Sequence, residues 1–224
     1  MGKRIIVLLL ITFLPLFLNQ PDFDYYSLVL QWPNSFCRLN PNMCKINPVP
    51  LDFTIQGLWP NNFTDDQLEF CRDQPAFDYT IVKGPLKENL KEHWPDLASA
   101  DPYSLSFVEY QWRKHGLCVY PTLNQNTYLW EALTLKKYFA VTRTFLKANI
   151  IPDDYEMVEV ADISKATSVA IGTEDDYGAP LIKCNRGFLT EIVICINSDV
   201  NYAMRCPNRT DECGEENVMF PSTP

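Results

Sequence analysis

Residues Phe107 to Cys118 read FVEYQWRKHGLC, and the folding of this stretch governs what its neighbours must do. Leu105, Val108 and Trp112 follow i, i+3, i+7 spacing, which puts one apolar stripe on a helix over Leu105 to His115. Gly116 is the expected C-terminal stop. Gln111 and His115 lie four residues apart, so they are neighbours on one helical face, with Lys114 beside them.

A second segment, Phe53 to Pro60, reads FTIQGLWP. Its aromatic and β-branched residues predict a strand over Phe53 to Leu58. Alternation places Thr54, Gln56 and Leu58 on one face and Phe53, Ile55 and Gly57 on the other. Gly57 leaves room for a close approach by another backbone or a ligand. Trp59-Pro60-Asn61 is expected to break the strand. Tyr26 to Gln31 predicts another strand, ending at Trp32-Pro33. A long helix is expected from Thr127 to Ala148 with Asn126 as its N-cap. Ser164 to Ile171 predicts a short helix stopped by Gly172. Leu189 to Ile196 alternates as a strand, and Val218 to Phe220 predicts a short final one. Scattered strands and helices without a βαβ rhythm give an α+β fold.

The chain opens with Met1-Gly-Lys-Arg followed by Ile5 to Leu18, an apolar run of about 14 residues. A basic start before a core this short predicts a secretory signal peptide over about residues 1–20, since a membrane span needs about 20 apolar residues. The remaining 21–224 is expected to be one domain, because no linker, repeat or low-complexity tract divides it. Eight cysteines, at 37, 44, 71, 118, 184, 195, 206 and 213, form an even set behind a signal, which predicts disulfides formed in an oxidising compartment. Their pairing is open on sequence grounds alone. With two histidines and no Cys/His pair at zinc spacing, no metal is expected. Asn62-Phe-Thr and Asn208-Arg-Thr are glycosylation sequons.

The net charge of −9 falls to about −11 once Lys3 and Arg4 leave with the signal. Polyanion binding normally draws on clustered Lys and Arg. No basic stripe occurs here, which argues against tight RNA binding at neutral pH.

The two segments resemble the active-site motifs of the ribonuclease T2 family, in particular plant S-RNases and S-like RNases. The family pattern is FTIHGLWP in the first and roughly F-W-x-H-E-W-x-K-H-G-T-C in the second. An LQWP segment, Leu30 to Pro33, agrees as well. The resemblance covers nearly the whole chain beyond the signal. It implies a single α+β domain, an antiparallel sheet with surrounding helices and four disulfides: Cys37–Cys44, Cys71–Cys118, Cys184–Cys213 and Cys195–Cys206. The second of these would tie the loop after the first motif to the end of the catalytic helix.

The family cleaves single-stranded RNA without metal or cofactor, leaving a 2′,3′-cyclic phosphate. A base takes the 2′-hydroxyl proton, a cation steadies the phosphorane and an acid protonates the departing 5′-oxygen. Carried over by position, His115 is the base and Lys114 the phosphate cation. Gln56 stands where the family has its acid histidine, and Gln111 where it has a glutamate. A carboxamide has no proton to give near neutral pH, so activity is expected to be lost or strongly reduced. A slow endoribonuclease using His115, with His93, Lys114 or a bound water supplying the proton, is the enzymatic alternative. A non-enzymatic storage or defence protein is the other. A self-incompatibility role sits poorly with the glutamines and the acidic charge.

Trp59 matches the tryptophan that stacks a base. Asn61, Gln31 and Tyr110 complete the expected substrate-binding set, Tyr110 replacing a helix histidine. Single-stranded RNA, bound weakly, is the expected partner of a monomer. Neither DNA nor a membrane is expected for the secreted form, which would be extracellular or vacuolar.

Overall fold

The structure is a computed structural model that describes residues 23–64, 67–173, 180–207, 213–214 and 216–224. The expected signal segment 1–20 and the Asn208 sequon lie outside the described residues. Seven strands make one sheet. They are β1 (Tyr25–Gln31), β2 (Thr54–Asn61), β3 (Met157–Glu159), β4 (Leu181–Asn185), β5 (Phe188–Asn197), β6 (Ala203–Met204) and β7 (Asn217–Met219). The main order is β2-β1-β5-β7-β3, with β4 and β6 also paired to β5. Pairing is antiparallel except where Phe188 of β5 meets Met219 of β7 in parallel.

Among the described residues, the helices packed around this sheet are α1 (Pro33–Leu39), α2 (Pro85–His93), α3 (Ser106–Gln111), α4 (Leu117–Val119), α5 (Gln125–Phe139), α6 (Val141–Lys147) and α7 (Val160–Ala170). Leu28 and Leu30 of β1, Ile55 and Leu58 of β2, and Ile192, Ile194 and Ile196 of β5 supply the sheet side of the core. Trp94, Trp112, Tyr128, Phe139 and Phe145 supply the helix side. Each such side chain contributes about 1.5–3 kcal/mol by leaving water. Tyr128 donates its buried hydroxyl to the Leu58 carbonyl at 2.9 Å, so the layers are also pinned by a polar contact. A smaller cluster of Tyr25, Val29, Val193, Cys195 and Cys206 lies apart from this core, with Trp59 packed against it. The four disulfides are Cys37–Cys44, Cys71–Cys118, Cys184–Cys213 and Cys195–Cys206, the pairing that the family resemblance implied. Among the described residues no helix is long and apolar enough to cross a membrane.

Four local expectations fail, each for a physical reason. The strand β2 runs on through Trp59-Pro60-Asn61. A proline is tolerated there because β2 is an edge strand, and Pro60 turns its carbonyl outward to accept from Leu68 N at 3.3 Å. Alternation along β2 is also interrupted. Val29 pairs with Gly57 while Leu30 pairs with Ile55, so Gln56 is the extra residue of a β-bulge. Thr54 and Leu58 therefore fall on opposite faces, not one.

Gly116 does not stop its helix. The chain passes from α3 into a π-helical turn, Trp112–Gly116, and on into α4, with Gly116 right-handed at φ −61°. A Cβ at Gly116 would sit 2.3 Å from the Trp112 ring, so the glycine serves close packing. The expected helix Thr127–Ala148 starts two residues earlier, capped by Asn124, whose side chain accepts from Thr127 N at 3.0 Å. It then divides at Ala140, which is left-handed at φ 43°. The break lets Val141 and Phe145 bury, and lets Thr142 Oγ1 accept from Phe53 N at 3.2 Å.

Candidate active site

The two motif segments meet across an indole. Trp59 stacks on His115 with ring centroids 5.0 Å apart and planes 26° from parallel. Its Nε1–H donates to Gln111 Oε1 at 2.9 Å. Gly57 makes this possible, because a Cβ there would lie 2.0 Å from Trp59 Nε1 and 2.6 Å from Gln111 Oε1. The close approach that Gly57 permits is thus taken by the protein's own side chains. Gln111 is buried, and His115 is fully so.

His115 Nδ1 lies 3.1 Å from the Leu68 carbonyl. A carbonyl only accepts, so Nδ1 carries the hydrogen and Nε2 keeps its lone pair. That Nε2 is buried without a hydrogen-bond partner among the described residues. Burial pushes the His115 imidazole down to about 4, outweighing the bond to Leu68 that favours the charged form. Lys114 lowers it further, and Glu69 opposes that. The ring is a neutral base at pH 7, but its basic nitrogen is walled off.

Lys114 Nζ forms an ion pair with Glu69 at 2.9 Å. The Glu69 segment is held there by Phe70 N donating to the Lys114 carbonyl at 2.7 Å and by the Cys71–Cys118 disulfide. Tyr110 is exposed at the flank, edge-on to Phe70, with Arg113 5.8 Å from its ring centroid.

Gln56 and Gln31 line a separate cleft of about 310 Å³ with Thr190, Lys183 and Glu191. Its floor includes a row across three strands. Gln31 pairs with Glu191, and Glu191 with Lys183, and partners in a ladder share a face. Lys183 and Glu191 form an ion pair at 3.8 Å. The structure therefore brings Trp59, Gln111 and His115 into contact and Gln31 with Gln56 into one cleft. Gly57, next to Gln56 and beneath Gln111, joins the two groups.

Asn61 is buried and structural in its contacts. Its Nδ2 donates to the Trp59 carbonyl at 2.7 Å and to Ser27 Oγ at 3.0 Å. Asn62 is half-buried in the turn that follows. His93 does not line this site. It is buried beside Lys136, whose Nζ donates to His93 Nδ1 at 3.3 Å, in a cavity with Leu30 and Phe53 of the main core. Leu68, Glu69, Lys183 and Glu191 were not singled out from sequence. Cys71, two residues beyond Glu69, was the available pointer to the first pair; the alternation of β5 was the pointer to the last. Among the described residues no group of three or more metal-capable side chains gathers.

A disulfide-bonded α+β sheet domain, with an imidazole and an ammonium on one helix set against a G-L-W strand, is a ribonuclease architecture. The family model described as Ribonuclease T2 family matches residues 23–206, and the chain belongs to that family.

Ribonuclease S-2 of Antirrhinum hispanicum is 37% identical over 188 residues, covering 83% of this chain and 77% of its own. The crystal structure of the Nicotiana alata self-incompatibility-associated SF11-RNase is 35% identical, with a TM-score of 0.76 over 89% of this chain and 100% of that one. RNase NT in complex with 5′-AMP is 26% identical, with a TM-score of 0.79 over 89% and 98%. Relatives from Solanum lycopersicum include an extracellular ribonuclease LE, 31% identical over 90% of this chain and 89% of its own. An intracellular ribonuclease LX is 28% identical over 98% and 94%.

Proposed function

We propose that residues 21–224 form a secreted ribonuclease T2-type protein, monomeric and glycosylated at Asn62 and Asn208, in which cleavage of single-stranded RNA is lost or strongly reduced. Residues 1–20 act as the signal that directs it to an extracellular or vacuolar destination. The observation that carries this reading is Gln56. Where the family places a proton donor, this chain places a carboxamide, which can hydrogen-bond a phosphate but cannot protonate a departing 5′-oxygen. Loss of one positioned acid removes about 10²–10⁴ in rate.

The geometry around the retained base supports the same reading. His115 Nε2 is buried, its ring stacks on Trp59, and Gln111 binds the indole in place of a carboxylate that would tune the imidazole. Weak nucleotide binding remains chemically available through Gln31, Gln56 and exposed Tyr110, and RNase NT is known as a complex with 5′-AMP. The test is an RNA-cleavage assay beside the double revertant Gln56→His/Gln111→Glu. Negligible cleavage by the natural protein and a rise of several orders of magnitude in the revertant are expected. Cleavage by the natural protein at the rate of active family members would overturn the proposal.

One observation favours a slow endoribonuclease instead. Lys183 and Glu191, an ammonium and a carboxylate, line the same cleft as Gln56. His93 does not serve that purpose, lying in another cavity. A weak activity abolished by both His115→Ala and Lys183→Ala would establish this second reading; equal background in all three proteins would dismiss it.

A further inference from the structure

A second cavity, of about 440 Å³, opens at the break between α5 and α6 and owes nothing to the motif segments' chemistry. Its apolar wall is Leu30, Phe53, Val141 and Leu146. Leu30 and Phe53 are core residues, whereas Leu146 stands 53% exposed. Charge is distributed unevenly around this wall. Lys136 is buried and its ammonium is matched by Asp52, which also accepts from Thr142 Oγ1. Lys136 also donates to His93 Nδ1, so that ring is the Nε2–H tautomer and its Nε2 lies 3.7 Å from Glu92. With those bonds the inner charges balance.

The outer cations do not balance. Among the described residues Lys137 bonds only the neutral amide of Asn89. Arg143 is exposed and has no acidic partner within ion-pair distance among the described residues. Both line the same cavity. A chain of net charge −9 thus leaves two un-neutralised cations over one apolar hollow. An apolar hollow with convergent polar groups at its mouth is the usual form of a small-molecule site.

We propose that this cavity binds a small organic anion, a carboxylate carried on an apolar body. The carboxylate sits between Lys137 and Arg143, and the apolar part lies against Leu146, Val141 and Phe53. The planar guanidinium of Arg143 suits a carboxylate in two-point contact. The site is independent of the RNA-type cleft, from which the sheet separates Leu30 and Phe53.

The test uses the whole secreted protein with 4-phenylbutyrate as probe and 4-phenyl-1-butanol as its uncharged counterpart, followed by NMR titration. Saturable one-site binding of the acid is expected, with the alcohol at least about tenfold weaker. Arg143→Ala and Lys137→Ala, both at exposed positions, should each weaken the acid by about three- to fivefold, the range of a solvent-exposed ion pair. Lys165→Ala on α7 should leave it unchanged. The proposal is overturned by equal affinity for acid and alcohol, by no saturable binding at millimolar concentrations, or by insensitivity to both cation variants. Displacement of the probe by a single-stranded oligonucleotide would equally overturn it, by showing one continuous RNA surface.

Discussion

Trp59 lies over His115, 5.0 Å between ring centroids, and the histidine's basic nitrogen is buried. Trp59, the residue expected to stack a base, sets its ring against His115 and is only partly buried. Burial holds His115 near 4, against about 6.5 for a histidine in an unfolded chain. A depressed histidine stabilises the native state fully above the unfolded value. That stability is lost as pH falls from about 6.5 towards 4, because the unfolded chain takes up a proton the native state refuses. The loss at pH 4 amounts to about 3 kcal/mol. His115→Phe removes the titrating group and keeps a ring under Trp59. Urea unfolding should show the variant losing about 3 kcal/mol less than the natural protein between pH 7 and pH 4; equal losses would refute the assignment.

Removing the cover should change the histidine before it changes the fold. In Trp59→Ala, water reaches the imidazole, and the His115 resonance should titrate closer to the ordinary histidine value than to 4. Trp59 is only partly buried, so the domain should remain folded at a cost of about 2 kcal/mol. An NMR titration still centred near 4 would mean that Leu68 and the helix, not the indole, keep His115 dry.

The sequence made the family and the Cys framework legible because those depend on residue identity at fixed spacing. The pairs Cys71–Cys118 and Cys195–Cys206 stand as the resemblance implied. What it concealed are features set by tertiary packing without a compositional signal. Nothing in FTIQGLWP marks Gln56 as a bulge residue; the bulge is set by pairing with β1, where Leu30 meets Ile55 and Val29 meets Gly57. Ala140 has high intrinsic helix propensity, yet it ends α5 because Val141 and Phe145 are buried along a new axis. The two charged neighbours of the site, Glu69 and Lys183, sit in segments whose position is fixed by a disulfide and a strand register, neither visible locally.

Gly57 carries the closed arrangement. A methyl group at this position would lie 2.0 Å from Trp59 Nε1, well inside contact distance. Gly57→Ala should therefore expel the indole, break its bond to Gln111 and destabilise the protein by about 1–3 kcal/mol, as overpacking typically does. Chemical denaturation and the Trp59 indole N–H resonance read the two effects together. Unchanged stability with an unshifted resonance would show that the strand moves aside instead.

The Cys71–Cys118 bond closes a sequence separation of 47 residues and brings Leu68 and Glu69 to the helix that carries Lys114 and His115. Replacing both cysteines by alanine should cost about 4 kcal/mol on the chain-entropy account. It should also loosen the Leu68 carbonyl from His115 Nδ1, detectable as faster exchange of that ring hydrogen. Loss of stability without faster exchange would separate the tether from the placement of His115.

The break at Ala140 offers a substitution whose sign depends on backbone geometry alone. At φ 43° an alanine Cβ crowds the following carbonyl, a strain of about 1–2 kcal/mol that glycine does not feel. Glycine also makes the unfolded chain looser, which takes back part of the gain. Ala140→Gly should be net stabilising by about 0.5–1 kcal/mol. Ala132 sits in the middle of α5 and is fully buried. There the same change deletes a packed methyl and lowers helix propensity, so Ala132→Gly should cost about 1 kcal/mol or more. Thermal unfolding of both variants distinguishes the cases. If Ala140→Gly also destabilised by 1 kcal/mol or so, the residue would be helical in solution, α5 and α6 would be continuous, and the hollow lined by Lys137 and Arg143 would lose its mouth.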